Sequence, residues 1–214
     1  THGKTTTSSI LTWIFESAGL DPSFVIGGLP GNLKQGARFT ASDLCVLEGD
    51  EYDSAFFDKR SKFIHYLPEV AIVNNIEFDH ADIYESLAAI KKSFGHMIRL
   101  VPDNGLVLIN GDDQNCLEVF KAQGHSPMKR VGFAPDCEAA ITEVDYQADN
   151  TSFTVEGERY RIDLNGEYNV RNAAMAVTAA RFAGVEAASI REALSTFSGV
   201  RRRQEVRGVT SRNI

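Results

Sequence analysis

The first seven residues of the chain, in the order THGKTTT, have the types and spacing needed to hold a phosphate group. A glycine at position 3 lets successive backbone N–H groups point at one anion, and the helix predicted to follow adds the positive end of its dipole. Lys4 would then reach the β- and γ-phosphates, and the Thr5 hydroxyl would serve Mg²⁺. The first glycine of the full phosphate-loop motif would precede Thr1, and we expect a buried strand to lead into the loop. The alternative interpretation is that these residues form an ordinary polar helix cap. The acidic residues described next favour phosphate binding over that alternative.

Acidic residues follow two apolar runs that are predicted to be strands. Glu48 comes directly after the first run, and the segment 74–80, with the sequence NNIEFDH, follows the second. The carboxyl ends of parallel strands form the ligand crevice of open α/β sheets, so both segments are expected beside the loop. Glu48 and His80 are therefore candidates to hold the metal that accompanies the phosphates. The acids interpreted instead as solvated loop residues are Glu51, Asp53 and Asp58.

Apolar periodicity and turn residues predict the elements that must position these side chains. Helices are predicted over residues 5–18, 83–100, 112–123, 169–183 and 188–197. Strands are predicted at 24–26, 44–47, 70–73 and 106–109, the second and third of them buried on both faces as in a parallel sheet. From 129 to 163, strand-like runs alternate with turn signals typical of antiparallel pairing. The predicted fold class is α/β, with a P-loop-type, mostly parallel sheet flanked by helices and a small antiparallel β annex.

Composition excludes several other classes of protein. The 214 residues suffice for one large domain or somewhat more, and 43% of them are hydrophobic, as in ordinary globular proteins. The net charge of −7 argues against a general binder of nucleic acid or anionic membranes. No apolar stretch is long enough to span a bilayer, and no signal peptide is visible. The three cysteines have no metal-ligand spacing and favour a reducing, cytoplasmic location.

Three motifs in this order resemble those of the Mur ligase family, the ATP-dependent amide ligases of peptidoglycan assembly. The run THGKTTT at 1–7 is similar to the phosphate loop of that family, NIEFDH at 75–80 to its metal motif, and NVRNA at 169–173 to its adenine motif. The resemblance implies ATP and Mg²⁺ as cofactors, with Lys4, Glu48 and His80 as catalytic residues. It implies metal ligation by Thr5, Glu48 and His80. It implies ATP contacts from His2, Gly3, Lys4, Thr5, Thr6, Asn169, Asn172 and Arg203.

The resemblance also implies a domain division and a branch of the family. Residues 1–198 resemble the central ATP-binding domain, without its first strand, and 199–214 resemble the linker to a C-terminal domain. The N-terminal domain that binds the UDP end and the C-terminal domain that brings the amine would be partners outside this sequence. The stretches 51–63 and 77–82 resemble the recycling branch, which implies UDP-N-acetylmuramate and a murein tripeptide as substrates. Tyr168 stands where relatives often have histidine, and its ring could stack on a base.

Three alternatives stay open at the level of sequence. The first is the branch of the family that adds L-alanine to UDP-N-acetylmuramate, because the amine site lies outside these residues. The second is a non-catalytic module in which a bound nucleotide acts as a switch. The third is a P-loop kinase or GTPase, although the Asn-Lys-x-Asp motif that reads guanine is not found.

Overall fold

The computed structural model of the chain describes residues 2–79 and 81–201. The predictions for His80 and Arg203, and nearly all of the predicted linker, therefore lie outside the described residues. The helices are α1 (Lys4–Ser17), α2 (Leu87–Ile98), α3 (Gln114–Gln123), α4 (Glu167–Phe182) and α5 (Ala187–Ser195). The first strands are β1 (Ser23–Val25), β2 (Ala37–Arg38), β3 (Cys45–Leu47), β4 (Asp53–Ala55), β5 (Asp58–Ser61) and β6 (Val70–Val73). The remaining strands are β7 (Leu106–Asn110), β8 (Met128–Gly132), β9 (Ala139–Ala140), β10 (Thr142–Tyr146), β11 (Thr151–Val155) and β12 (Glu158–Ile162).

The strands form two parallel groups and two antiparallel ones. One group has the order β2-β1-β3, in which β1 and β3 are parallel. The other has the order β6-β7-β8-β9, in which every pair is parallel. The strands β10, β11 and β12 form an antiparallel sheet, and β4 and β5 form a hairpin. The predicted α/β class with a mostly parallel sheet and an antiparallel annex is confirmed.

The annex begins later in the chain than predicted. Antiparallel structure was predicted for residues 129–163, but β8 pairs parallel with β7, and β9 pairs parallel with β8. The reason is that α3 carries the chain back across the sheet between β7 and β8, which is the crossover that parallel pairing requires. The turn signals that follow β8 therefore mark a change of sheet only after β9.

Two helix starts also differ from the prediction, and side-chain caps explain both. The helix predicted from residue 83 begins at Leu87, because the Ser86 hydroxyl accepts a hydrogen bond from the Ala89 N–H at 3.3 Å. The helix predicted from residue 112 begins at Gln114, because the Asp113 carboxylate accepts from the N–H groups of Asn115 and Cys116. In both cases the predicted helix extended past the N-cap residue, after which the observed helix begins.

Two clusters of buried apolar side chains cover opposite faces of the β6–β9 group. Leu106 and Leu108 of β7 belong to the larger cluster with α1, α4 and α5, whereas Val107 and Ile109 belong to the smaller cluster with α2 and α3. Alternate residues of one strand point to opposite faces, so the sheet runs between the two clusters. All five residues of β7 are buried, as expected for a central parallel strand.

Strand β3 does not have the burial on both faces that its apolar sequence predicts. Val46 is buried, but Cys45 and Leu47 are exposed. In β6, Ala71 and Val73 are buried while Val70 and Ile72 are only partly buried. Within the described residues each of these strands has a paired neighbour on one side only. Both are edge strands of their groups among the described residues, and their side chains are covered less completely than those of β7.

Candidate nucleotide-binding site

The candidate site is built on the N-terminus of α1, where Gly3 precedes the first helical residue. Gly3 has φ 81°, a left-handed conformation that costs other residues energy. A Cβ atom at this position would lie 2.3 Å from Asn172 Oδ1 and 2.7 Å from Asn74 Nδ2. The backbone conformation therefore favours glycine here, and any larger side chain would displace the amide ends of Asn172 and Asn74. The helix presents its first N–H groups at this end, as an anion site needs.

Lys4, the first residue of α1, forms an ion pair with Glu51. Lys4 Nζ lies 2.7 Å from Glu51 Oε2 and 3.0 Å from Oε1. The Glu51 side chain is only 2% exposed, whereas the Lys4 side chain is 27% exposed. The interpretation of Glu51 as a solvated loop residue is therefore wrong. A buried carboxylate needs a charged partner or several hydrogen bonds, and the ammonium group of Lys4 is such a partner.

Thr5 contacts Glu48, the acid that directly follows β3. Thr5 Oγ1 donates a hydrogen bond to Glu48 Oε1 at 2.8 Å, and the Gly27 N–H donates to Glu48 Oε2 at 2.7 Å. The structure thus brings together the two residues predicted from sequence to share a metal. Each carboxylate oxygen of Glu48 is held by one donor, so its position beside the loop is fixed. Lys4 and Thr5 consequently face two acids from one stretch of chain.

A polar cluster of three residues supports the loop from behind. Asn74, which follows β6, donates from Nδ2 to Thr7 Oγ1 at 2.9 Å and to Asn172 Oδ1 at 3.3 Å. Thr7 Oγ1 in turn donates to Asn172 Oδ1 at 3.3 Å. Asn74 Oδ1 is buried without a hydrogen-bond partner in the described part of the chain. Asn172 was predicted to contact adenine, and the structure places its side-chain oxygen against the loop.

The acidic segment after β6 is held on both sides. Asn75 Oδ1 accepts from the His2 N–H at 2.8 Å, and Asn75 Nδ2 donates to Glu77 Oε1 at 2.7 Å. On the other side, Asp113 Oδ2 accepts from the Ile76 N–H at 2.9 Å, and Asn115 Nδ2 donates to the Ile76 carbonyl at 2.7 Å. Sequence reasoning missed Asp113 and Asn115, although an aspartate at the start of α3 was a visible capping signal.

The other predicted ATP contacts lie at the start of α4. Asn169 is buried, and its Nδ2 donates to the Asn165 carbonyl at 2.8 Å. Tyr168 next to it is 75% exposed. Thr6 is partly buried on the first turn of α1, and the His2 side chain is exposed, with Nε2 3.8 Å from Glu77 Oε1. These residues are present at the loop end of the molecule or on the helix that supports it, and their roles stay predictions.

Arg171, a cation within α4, was not singled out from the sequence. The guanidinium group of Arg171 lies 5.0 Å from the centre of the Phe133 ring and donates to Asp112 Oδ2 at 3.1 Å and to Glu167 Oε1 at 2.9 Å. Asp112 also accepts from the N–H groups of Phe133 and Ala134. This cluster joins α4 to the turns after β7 and β8. Arg171 directly precedes Asn172 in the sequence.

Asp50 completes the acidic turn between Glu48 and Glu51. Partial burial alone would raise its pKa, but a hydrogen bond from Lys62 Nζ at 2.6 Å and one from the Tyr52 N–H lower the pKa of Asp50 below its ordinary value. Asp50 therefore stays ionised at neutral pH, and the turn presents three carboxyl groups between β3 and β4.

The donor set fits Mg²⁺ when phosphate oxygens are added. No group of three or more His, Cys, Asp or Glu side chains converges within residues 2–79 and 81–201. Thr5 Oγ1 and Glu48 Oε1, 2.8 Å apart, nevertheless converge on one point of the loop. Mg²⁺ is commonly held by one or two protein oxygens together with waters and substrate phosphates. These two donors are therefore of the kind that could hold Mg²⁺ together with phosphate oxygens.

A left-handed glycine, a lysine and a threonine at a helix N-terminus, facing acids from strand ends, are the parts of a P-loop-type nucleotide site in an α/β protein. The model of the Mur ligase middle domain matches residues 1–180, and the chain belongs to this family. The family resemblance stated from the three sequence motifs is therefore confirmed.

Two curated ligases are similar to this chain over nearly its whole length. The chain is 44% identical over 211 residues to the UDP-N-acetylmuramate–L-alanyl-gamma-D-glutamyl-meso-2,6-diaminoheptandioate ligase of Escherichia coli (strain K12), covering 97% of this chain and 46% of that protein. It is 37% identical to the UDP-N-acetylmuramate–L-alanine ligase of Bordetella pertussis, covering 95% of this chain and 44% of that protein. The chain thus spans just under half the length of these curated relatives.

A solved structure has the same fold. It is the UDP-N-acetylmuramate:L-alanyl-gamma-D-glutamyl-meso-diaminopimelate ligase from Neisseria meningitides, which superposes with a TM-score of 0.85 at 40% identity. The match covers 94% of this chain and 65% of that one.

Among the described residues, no helix combines the length and the apolar character needed to cross a bilayer.

Proposed function

We propose that the chain forms the ATP-binding part of a ligase that joins UDP-N-acetylmuramate to the tripeptide L-alanyl-γ-D-glutamyl-meso-diaminopimelate. One observation carries the proposal. Lys4 and Thr5, at a helix N-terminus, face Glu51 and Glu48 at one strand end. This arrangement occurs in a chain 44% identical to a relative that bears the name of that activity. The arrangement of Lys4, Thr5 and the two acids fits a bound triphosphate. The identity to the named relative indicates which reaction would use that triphosphate.

The loop residues would bind the phosphates of ATP. The N–H groups at the start of α1 point at one anion, and Lys4 would donate to the β- and γ-phosphates. Because Lys4 Nζ is already held by Glu51 at 2.7 Å, the phosphates and Glu51 compete for the same ammonium group. Bound ATP therefore draws Lys4 away from Glu51, or shares it.

Thr5 and Glu48 would hold the Mg²⁺ ion that accompanies ATP. When bound, the ion neutralises charge on the phosphate oxygens that surround the reacting phosphorus. Gly27 keeps Glu48 in place through its N–H, and the Thr5 hydroxyl is fixed by the first turn of α1. His80 is proposed as a ligand of a second ion on the strength of its motif, and it lies outside the described residues.

The proposed reaction has two transfers. A carboxylate oxygen of UDP-N-acetylmuramate attacks the γ-phosphorus of ATP, the bond to the β-phosphate oxygen breaks, and ADP leaves. The amine of the tripeptide then attacks the carbonyl carbon of the acyl phosphate, loses a proton, and inorganic phosphate leaves. An anion must approach a polyanion in the first transfer, so positioning and charge neutralisation by Lys4 and the loop are the contributions that this chain can make.

The adenine end of ATP is assigned to the start of α4. Asn169 and Asn172 lie three residues apart on one helix face, and amide groups both donate and accept hydrogen bonds, as the adenine edge requires. In addition, Asn172 packs against the loop through Thr7 and Asn74. The exposed Tyr168 ring is positioned one residue before Asn169 and is available to stack on a base. Arg203 is assigned to the phosphates from its motif alone.

Substitution of Lys4 tests the nucleotide site. Lys4→Ala removes a charged donor to phosphate, and we expect ATP affinity to fall by about 2 to 3 kcal/mol, or roughly 30- to 150-fold. Isothermal titration calorimetry with Mg²⁺–ATP measures it. Lys121→Ala, at an exposed lysine of α3, is the matched control and should bind like the parent chain. Unchanged affinity in Lys4→Ala would contradict the phosphate-loop assignment.

The substrate assignment has one specific alternative. The 37% identical Bordetella pertussis relative bears the name of the L-alanine ligase, so the same site could serve that reaction. Phosphate release by a full-length ligase carrying this chain, measured with the tripeptide and with L-alanine at equal concentration, separates the two. Faster turnover with L-alanine would overturn the tripeptide assignment. ATP binding without amide formation from either substrate would indicate a nucleotide-binding module instead.

We place this reaction in the cytoplasm. The three cysteines are free thiols, and Cys116 and Cys137 are buried. Thiols that stay unpaired are typical of a reducing compartment, which is also where ATP is available.

A further inference from the structure

The turn that carries Glu51 is held through its backbone carbonyls by two different segments. The Lys62 N–H, just after β5, donates to the Tyr52 carbonyl at 3.0 Å. The Tyr84 hydroxyl, from the segment between β6 and α2, donates to the Glu51 carbonyl at 3.1 Å. The Glu51 side chain is buried and forms the ion pair with Lys4. The hydroxyl of Tyr84 thus reaches the residue that holds the lysine of the phosphate loop.

Tyr84 is itself held by two serine hydroxyls. Ser61, the last residue of β5, has its Oγ 2.7 Å from Tyr84 Oη and 2.7 Å from Ser93 Oγ of α2. Ser93 Oγ also lies 3.3 Å from Tyr84 Oη. A carbonyl oxygen only accepts, so the single proton of Tyr84 is directed to Glu51. Tyr84 Oη then accepts from Ser61, and Ser61 Oγ accepts from Ser93. Hydrogen bonds that run in one direction along a chain polarise and strengthen one another.

This chain of hydroxyl groups is shielded from water. Ser61 is buried, and Tyr84 and Ser93 are partly buried. The Tyr84 side chain packs against the smaller apolar cluster, which limits the directions in which its hydroxyl can point. Breaking a hydrogen bond in such surroundings is costly, because the group left behind has no water to replace its partner. The backbone of Glu51 is therefore held more firmly than that of an exposed turn.

The position of the Glu51 carboxylate in turn affects Lys4. Glu51 is the buried member of the ion pair, with a side chain that is 2% exposed, and Lys4 is the more accessible member, with a side chain that is 27% exposed. The attraction between two charges weakens as the distance between them grows. A shift of the Glu51 backbone would therefore lengthen the ion pair and make the Lys4 ammonium group more available to other partners.

We propose that Tyr84 is a positioning residue of the nucleotide site, which acts on Lys4 through Glu51. With the Tyr84 hydroxyl in place, Glu51 competes fully with phosphate for the Lys4 ammonium group. Loss of the hydroxyl loosens the Glu51 backbone and removes part of that competition. The effect of Tyr84 on ATP rests on the proposed function, whereas its effect on the ion pair between Lys4 and Glu51 does not.

A double-mutant cycle on the Lys4 amine tests the inference without ATP. The parent chain, Tyr84→Phe, Glu51→Gln and the double variant are acylated with acetic anhydride, and modification of Lys4 is followed by mass spectrometry, with the exposed Lys121 as internal reference. The ion pair must open before the Lys4 nitrogen reacts, so Tyr84→Phe is expected to accelerate its modification by about two- to fivefold. Glu51→Gln should accelerate it at least as much. In the Glu51→Gln background, Tyr84→Phe should add nothing.

Tyr160→Phe is the matched control for the loss of one tyrosine hydroxyl. The Tyr160 hydroxyl is buried without a hydrogen-bond partner in the described part of the chain, so its removal should leave the modification of Lys4 unchanged. Equal acceleration by Tyr84→Phe with and without the Glu51 carboxylate would overturn the inference, since general loosening would then be the cause. An unchanged rate in Tyr84→Phe would also overturn it. If Tyr84→Phe fails to fold, Ser61→Ala, which removes the donor to Tyr84, must show the same dependence on Glu51, and a lack of that dependence has the same meaning.

Calorimetry with Mg²⁺–ATP separates this inference from the proposed function. Tyr84→Phe is expected to strengthen ATP binding by about two- to threefold, less than the roughly fivefold expected of Glu51→Gln, and to have no effect in the Glu51→Gln background. Weaker ATP binding in Tyr84→Phe would overturn the inference, because Glu51 would then not compete with phosphate. Absence of ATP binding in the parent chain and in every variant would instead overturn the proposed function, and the modification rates of Lys4 would still decide whether Tyr84 positions Glu51.

Discussion

The ion pair between Lys4 and Glu51 holds the Lys4 side chain at the loop in the structure. The carboxylate of Glu51 lies 2.7 Å from the ammonium group that is proposed to bind phosphate. If Lys4 binds phosphate as proposed, Glu51 is expected to compete with ATP for its ammonium group. Glu48, three residues earlier, contacts the Thr5 hydroxyl and is proposed to hold the metal. Two acids of one turn are thus expected to affect nucleotide binding with opposite signs.

Neutralising Glu51 should strengthen nucleotide binding. In Glu51→Gln the side chain keeps its shape but loses its charge, so Lys4 is released to the phosphates, and a partly exposed ion pair contributes about 1 kcal/mol, or roughly fivefold in affinity. Calorimetry with Mg²⁺–ATP measures the change. The matched variant Glu48→Gln should weaken binding in the presence of Mg²⁺ and have little effect when the metal is chelated. A loss of affinity in Glu51→Gln would mean that Glu51 orients Lys4 for the phosphates.

At this scale the sequence predicts a contact when both partners follow recognisable patterns. Thr5 and Glu48 were expected at the same site because one lies in a phosphate-loop motif and the other follows an apolar strand, and the structure places them in contact. Glu51 was misjudged, since some of its neighbours come from distant segments: the Tyr84 hydroxyl, for example, donates to the Glu51 backbone carbonyl. No local pattern encodes such a neighbour.

At the scale of elements, the structure differs from the sequence prediction where strands change partners. The apolar runs 70–73 and 106–109 fixed β6 and β7 almost residue for residue, because parallel central strands are continuous apolar segments. The partner of β8 could not be read in this way, because pairing direction depends on the crossover through α3. The hairpin of β4 and β5 was missed since its residues are mostly charged and its tip, Phe56 and Phe57, is exposed.

An ion pair between Arg130 and Glu138 spans the short connection between β8 and β9. Arg130 of β8 donates through its guanidinium group to the Glu138 carboxylate at 2.9 Å, and the Arg130 N–H also donates to Glu138 Oε2 at 2.9 Å. These hydrogen bonds lower the pKa of Glu138 from 4.5 to about 2, against the smaller opposing effect of burial. The ionised carboxylate is therefore preferred in the folded state.

A pH dependence of stability follows from that shift. Because the folded-state pKa is lowered, the contribution of Glu138 is complete above about 4.5 and is lost as the pH falls towards 2. Glu138→Gln should unfold about 0.5 to 1 kcal/mol more easily near neutral pH, a value reduced for the partial exposure of the pair. Denaturant titrations over this pH range should show the variant and the parent converging in acid. Glu192→Gln, at an exposed acid of α5, is the control, and a difference that persists at the lowest pH would contradict the assignment.

At the scale of the whole molecule, α4 is the element around which the larger core is organised. Its residues from Asn169 to Ala180 are all buried. Between positions 173 and 180 it contributes seven side chains to the larger apolar cluster. The many alanines let α1 approach α4 closely, so that Thr7 of one helix reaches Asn172 of the other. The alanine-rich pattern predicted the helix but could not show that every face of it is covered.

Enlarging one of these alanines should destabilise the entire fold. Ala176 is fully buried, and Ala176→Leu inserts a side chain where the packing leaves no room, with an expected cost of about 1 to 3 kcal/mol. Chemical denaturation followed by circular dichroism measures the loss. Ala188→Leu, at an exposed position of α5, makes the same chemical change and should be nearly neutral. Equal stability of the two variants would contradict close packing at α4.

The supports of Gly3 come from distant parts of the chain: Asn74 follows β6, and Asn172 lies in α4. An anion site assembled in this way cannot exist in a locally folded fragment, so nucleotide binding and global folding are thermodynamically linked. A ligand that binds only the folded form stabilises it by RT ln(1 + [L]/Kd). Saturating nucleotide should therefore rescue destabilising substitutions anywhere in the molecule, including those remote from the loop, by an equal free energy.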